Sequence, residues 1–183
     1  MFRNWANDPQ VTKYLSWEPH KDVEETKQIL EGWIKSYESK DFYTWAIARK
    51  EDEGNIIGSI SVPQLNQKAG RVTVAYCLGR NWWGHKIMKE AFAELIRFFF
   101  EVEGANRVEA LHDTRNVNSG KVMAACGLKK EGTLRRYGWN NQGICDECIY
   151  GMVASDYFEG KQRWENKLGK QEIEGYVWTA GYR

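Results

Sequence analysis

Proline and cysteine are scarce in this chain, with three and four among 183 residues. Thiols at Cys77, Cys126, Cys145 and Cys148 are too few and too scattered for the disulfide framework of a secreted domain, so the expected compartment is a reducing cytoplasm. Cys145-Asp146-Glu147-Cys148 has zinc-ligand spacing, but no second pair and no histidine cluster completes four ligands, so no metal is expected. Net charge is lacking too. Twenty-six Lys and Arg against 25 Asp and Glu leave +1, and no overall field draws the protein toward nucleic acid or an anionic membrane. Nor is there a long hydrophobic run: the greasiest stretch, Leu95 to Val102, is broken by Arg97 and Glu101. The N-terminus carries no basic segment followed by an apolar one, so neither a membrane span nor an export signal is expected.

What is present is a 42% hydrophobic composition, enough for one domain with a substantial core, and nine tryptophans. The chain is organised around Tyr76 to Ala91. This reads as a strand end, a tight loop with Gly79 and Gly84, and a helix with apolar residues at Ile87, Ala91, Leu95, Phe98 and Val102. Such a junction suits an anion. Glycine lets the backbone approach a ligand, and the first helical turn offers unpaired N–H groups with partial positive charge, to which Lys86 and Lys89 add.

A second stretch follows at Arg107 to Ser119, ending in Asn116-Val117-Asn118-Ser119, and then Gly127-Leu128-Lys129-Lys130-Glu131-Gly132. With Trp82-Trp83-Gly84-His85-Lys86 before the helix, these motifs resemble the acetyl-CoA-binding core of the GNAT superfamily of N-acyltransferases, in the branch of the ribosomal-protein N-terminal acetyltransferases. The resemblance runs from the N-terminus to about Tyr157. It implies an α+β fold with a mixed central sheet flanked by helices, a domain over 1–157, and a C-terminal extension over 158–183 packed on it. Family members begin with an additional strand before the first helix, whereas this sequence starts at or inside that helix. Either the edge strand is absent or another segment replaces it, and the strand-like Tyr176-Val177-Trp178-Thr179 is a candidate.

The rest of the chain reads in order as a short helix over Met1 to Leu15 with a turn at Asp8-Pro9, and an amphipathic helix over Lys21 to Glu38. Strands follow at Phe42 to Arg49, Ile56 to Val62 and Gly70 to Leu78. After the helix from Gly84 to Val102 come a strand at Arg107 to His112, a helix at Ser119 to Cys126, and strands around Gly132 to Trp139 and Cys145 to Val153. In the resembling family the first two helices line the acceptor side. Trp17 and His20 are therefore acceptor-pocket candidates, against a bland reading as a core plug and a turn residue.

The resemblance implies acetyl-CoA as co-substrate. Backbone groups of Tyr76, Cys77 and Leu78 would pair with the pantetheine amides, Trp83, Gly84, His85, Lys86, Ile87 and Met88 would cradle the pyrophosphate, and Asn116 would contact the cofactor arm. Ser119 matches the serine that protonates the leaving thiolate, the alternative being an N-cap. Lys86 departs from a pattern that prefers Gly or Ala. No obvious base is visible: the strand position where relatives carry Glu is Thr73, and another acidic position of the branch aligns with Gly138. His112, Glu109, His20 and His85 are leftover base candidates, and Tyr137 and Tyr150 leftover acids. The expected function is acetyl transfer from acetyl-CoA to a primary amine by direct attack in a ternary complex. The alternative is a non-catalytic acyl-CoA-binding or assembly protein of the same fold. Exposed strand edges and abundant aromatics leave room for a homodimer.

Overall fold

The computed structural model describes residues 1–168 and 176–180, with side chains through Lys161. After a 3-10 turn at Phe2–Asn4, α1 spans Pro9–Thr12 and α2 Val23–Ser36. Strands β1 (Thr44–Arg49), β2 (Asp52–Asn66) and β3 (Arg71–Leu78) form a meander. Then follow α3 (Ile87–Glu101), β4 (Arg107–Asp113), α4 (Val117–Ala125), β5 (Lys129–Asn140), β6 (Gly143–Val153), α5 (Ala154–Leu168) and β7 (Tyr176–Ala180). The seven strands make one sheet in the order β5-β6-β4-β3-β2-β1-β7. Among the described residues only β3 and β4 pair in parallel, as a mixed sheet with a helical crossover requires.

Asp8-Pro9 does not form the expected turn. The Asp8 carboxylate accepts from Gln10 N at 2.8 Å and caps α1, with Pro9 at the first position, where a missing N–H has no cost. At α2 the Asp22 carboxylate caps the helix by accepting from Glu25 N at 2.8 Å, and the Glu25 carboxylate reaches back to accept from Lys21 N at 2.7 Å. Strand β2 extends well beyond Ile56 to Val62 at both ends, and Pro63 sits at its register shift between Ser61 and Gln64, where no ladder N–H is needed. Helix α5, continuous across position 157, was not visible in the sequence.

Helix α3 buries Ile87, Ala91, Phe92, Leu95, Ile96 and Phe99 against one face of the sheet, each contributing on the order of 1.5–3 kcal/mol by leaving water, with Ala91 less. Strand alternation puts Val72, Val74, Val108, Ala110 and Met152 on this face, and Tyr157 of α5 stacks on Phe100 there. The opposite face carries a second cluster, Trp5, Ala6 and Val11, packed with Trp17, Trp33 and Cys77. Burial pushes the Cys77 thiol up to about 12, so this sulfur is inert packing. The segment Tyr176-Val177-Trp178-Thr179 lies in β7, which pairs antiparallel with β1 from Trp45↔Ala180 to Arg49↔Tyr176. Among the described residues no helix is long and apolar enough to cross a membrane.

Candidate active site

The site begins where two strands part. β3 and β4 pair from Arg71↔Arg107 to Val74↔Ala110 and no further. Beyond that, Ala75 to Leu78 stay with β2, and Leu111 to Asp113 stay with β6. A wedge opens between the inner edges of β3 and β4, and its backbone N–H and C=O groups are left for a ligand of amide-like chemistry.

At the mouth of the wedge the chain turns through a 3-10 segment, Arg80–Trp82, into exposed Trp83 to Lys86. Trp83 Nε1 donates to Leu78 O at 2.7 Å and closes the turn back on the strand end. Gly84 has φ +80°, and Lys86 caps α3 in a left-handed conformation, φ +64° and ψ +2°. For a residue with a Cβ this costs about 1–2 kcal/mol, which accounts for the expected small residue there. No side chain caps α3, so its first N–H groups remain open at an exposed loop, with Lys86 and Lys89 alongside. The arrangement can hold a phosphate group.

Across the wedge, Asn116 occupies the N-cap of α4, and its side-chain amide makes no hydrogen bond among the described residues. Ser119 is therefore not the cap but the third residue of the helix. Tyr76 reaches over from β3: its hydroxyl donates to Ser119 O at 3.0 Å and lies 2.9 Å from Ser119 Oγ. With the phenol's proton on the carbonyl, the Ser119 hydroxyl is fixed by one partner and turned toward β3. Burial raises the Tyr76 pKa far above the ordinary phenol, so Tyr76 is an orienting group and not a source of protons.

On the opposite face the N-terminal segment is tied to the β5–β6 hairpin by one residue. Asn141 Nδ2 donates to Thr12 O at 2.9 Å and Trp17 O at 2.8 Å, and its backbone N–H donates to Leu15 O at 3.2 Å. Trp17 is half-buried, edge-on to Trp5 and 5.1 Å from the His20 ring. His20 is buried, with Nδ1 2.7 Å from Thr26 Oγ1 of α2.

Three carboxylates line this face in different states. Glu109 is buried and fully engaged by Thr73 Oγ1 at 3.0 Å, Arg107 at 2.7 Å and Arg71 at 3.6 Å. Asp113 accepts from Arg115 Nη2 at 2.6 Å, Arg115 N at 2.8 Å and Asn140 Nδ2 at 2.8 Å. Burial works against its charge, but these bonds and the guanidinium hold its carboxyl well below the ordinary range. Glu147, the register partner of Asp113, has no cation and no donor among the described residues. Burial first, and the charge of Asp113 second, push its carboxyl up. A register shift in β5 between Leu134 and Gly138 carries Gly138 beneath it, and a Cβ built at position 138 would overlap the Glu147 carboxylate.

The family follows from the chain's likeness to known proteins. A model of the acetyltransferase (GNAT) domain matches residues 1–129. The chain belongs to the GNAT acetyltransferase family. This acetyltransferase is 30% identical over 154 residues to an uncharacterized N-acetyltransferase of Bacillus licheniformis, covering 84% of the chain and 85% of that protein. It is 24% identical over 152 residues to the ribosomal protein uS5-alanine N-acetyltransferase of Escherichia coli K12, covering 79% and 77%. Its fold superposes on the microcin C7 self-immunity acetyltransferase MccE, solved in complex with acetyl-CoA and AMP, with a TM-score of 0.70 at 20% identity, covering 79% of each chain.

Several sequence candidates now have positions in the acetyltransferase. His112 lies on the α3 face, with Nδ1 2.8 Å from Asp113 O, which puts the ring proton on Nδ1. Its Nε2 is buried without a partner against Gly120 of α4, where a Cβ would come within 2.6 Å. It is sealed from the wedge. Tyr150 packs on His112, Tyr137 is exposed on β5, and His85 is exposed in the loop. Cys145 and Cys148 stand three apart on β6 and so face opposite sides of the sheet, Cys145 beside Asn140 and Cys148 beside Thr133, which rules them out as a chelating pair. The Tyr76–Ser119 pair, the Asn141 tie and Glu147 were missed. Each joins residues far apart in sequence, and the only sequence-level sign was an alternation that puts Glu147 on the same face as Cys145 and Ile149.

Proposed function

We propose that this acetyltransferase moves an acetyl group from acetyl-CoA to a primary amine, a protein N-terminal α-amine or a small amine of similar pKa, by direct attack with both substrates bound. The observation that carries this reading is the unpaired wedge between β3 and β4 ending at the uncapped, exposed start of α3. A ligand with successive amides leading to a diphosphate matches that sequence of open backbone groups. Acetyl-CoA supplies the activated acyl carbon and a thiol leaving group.

The chain's own residues divide the remaining work. Backbone groups of Tyr76, Cys77 and Leu78 align the pantetheine arm, the N–H groups from Trp83 to Met88 take the diphosphate, and the free Asn116 amide adds a polar contact. Ser119, oriented by Tyr76, holds the proton destined for the departing sulfur. Trp17 walls the acceptor side, with His20, held by Thr26 of α2, bracing it.

An α-amine with a pKa near 8 is roughly a tenth neutral at pH 7, and a lysine amine only about 0.04%. A weak base or a water suffices for the former, so the α-amine is favoured. The uS5-alanine N-acetyltransferase among its relatives, which acts on an alanine, is in keeping with this. Calorimetric titration with CoA, followed by a thiol-release screen of peptide N-termini, polyamines and lysine peptides, tests the reading. Tight CoA binding with turnover on an α-amine supports it, whereas absence of CoA binding or of thiol release with every amine would overturn it.

A further inference from the structure

Asp113 and Glu147 stand as neighbours across β4 and β6, and their surroundings drive them in opposite directions. Asp113 is surrounded by donors and stays ionised, so it cannot take up a proton at working pH. Glu147 is half-buried, unpaired among the described residues, and laid over a glycine that leaves its carboxylate room. Neighbouring carboxylates with divergent environments mark acid–base sites. Position strengthens the point. Glu147 lies on the face of the N-terminal segment, level with the part of β4 that β3 has abandoned, one strand spacing of about 4.8 Å from it. Glu109, the other carboxylate on this face near the wedge, is consumed by Arg71, Arg107 and Thr73.

We infer that Glu147 is the general base of the acetyltransferase, taking a proton from the ammonium of the acceptor. The inference rests on the acetyl-transfer reading above. An ammonium has three N–H protons: one passes to a Glu147 oxygen and on to water. The freed lone pair forms the N–C bond to the acetyl carbon while the C–S bond breaks, its electron pair going to sulfur. A second proton ends on that sulfur, relayed through Ser119, and the third stays on the product amide. The groups facing Glu147 are Asp113 on β4, with Arg115 paired to it and Tyr14 of the N-terminal segment near Arg115, Cys145 on β6 itself, and on β5 the uncharged Leu134, its register partner, and Gly138.

Wild type and Glu147→Gln are compared by CoA titration, steady-state kinetics against pH, and a carboxyl-carbon NMR titration. The expected result is a kcat lower by about 10²–10⁴-fold with CoA affinity unchanged, loss of the acidic limb of the kcat profile, and disappearance of a carboxyl titrating above the ordinary range. Glu147→Asp retains part of the activity, and the double variant Gly138→Glu with Glu147→Gly, which offers a carboxylate from the neighbouring strand, regains part of what Glu147→Gln loses. A Glu147→Gln enzyme with kcat within threefold of wild type, or with lower kcat and an unmoved acidic limb, overturns the inference. A wild type that binds CoA but acetylates no amine overturns the acetyl-transfer reading itself.

Discussion

The two sides of the wedge are built from different material. In the proposed reading the thioester side rests mainly on one contiguous stretch, Tyr76 to Met88, acting through main-chain groups, with the Asn116 amide and Ser119 hydroxyl added from the start of α4. The proposed acceptor side is assembled from Trp17, Asp113, Asn141 and Glu147, which come from the N-terminal segment, β4 and the β5–β6 hairpin, and would act through side chains. Main-chain recognition tolerates side-chain change, so Lys can occupy a left-handed position without closing the proposed anion site. Side-chain recognition does not, and a single truncation on the acceptor side removes a function.

Substitutions on the two sides should therefore separate chemistry from binding. The largest effect is expected at Glu147, where Gln costs kcat about 10²–10⁴-fold and leaves CoA affinity intact. It should also stabilise the protein in a pH-dependent way. Because the folded carboxyl titrates above its unfolded value, its burden is absent below the ordinary carboxylate range and grows as pH rises through the folded pKa. The melting temperature of Glu147→Gln should exceed that of wild type at neutral pH and converge with it in acid. Asp113 has the reverse sign: its contribution is present above the ordinary range and lost as pH falls below it, so Asp113→Asn should flatten the acid end of the melting profile.

Next in size, Ser119→Ala should lower kcat about a hundredfold at unchanged stability, and Tyr76→Phe, which only frees the Ser119 hydroxyl, should lower it less. Full turnover in Ser119→Ala would remove the relay. Asn141→Ala deletes two bonds to carbonyls of the N-terminal segment, so a loss of about 1–3 kcal/mol in denaturant unfolding and a raised KM for amine are expected, with no change in CoA affinity. The smallest effect is expected at Lys86→Gly. Relief of the left-handed backbone, set against glycine's extra freedom when unfolded, leaves a gain of about 0.5–1 kcal/mol. CoA affinity should stay within about threefold, and a greater loss would show that the Lys86 cation, not the backbone, holds the diphosphate.

Legibility followed the same division. The strand, loop and helix of Tyr76 to Ala91 could be read directly because their signals are local: a strand end, glycines and a 3.6-residue apolar period lie within one window. The strands and helices of the core were legible for the same reason, within a few residues at their ends. The base was not, because Gly138 and Glu147 are brought together by a strand irregularity that no periodicity announces. Nor could the sequence show that Ser119 sits inside its helix and answers to Tyr76, since Asn116 and Ser119 are both good caps and only the backbone chooses between them. Asp8-Pro9 read as a turn because the pair suits both a turn and a helix start, and the capping bond to Gln10 decides it.

One consequence follows from the order in which the strands are made. The partner of β1 on its outer side is β7, which leaves the ribosome after every other strand of the sheet. Until then the nascent chain displays a bare ladder of donors and acceptors along Thr44–Arg49, open to any extended peptide, including another nascent copy. Synthesis that stalls before Tyr176 would therefore yield a species with the β3–β4 wedge already encoded yet prone to cross-chain strand exchange.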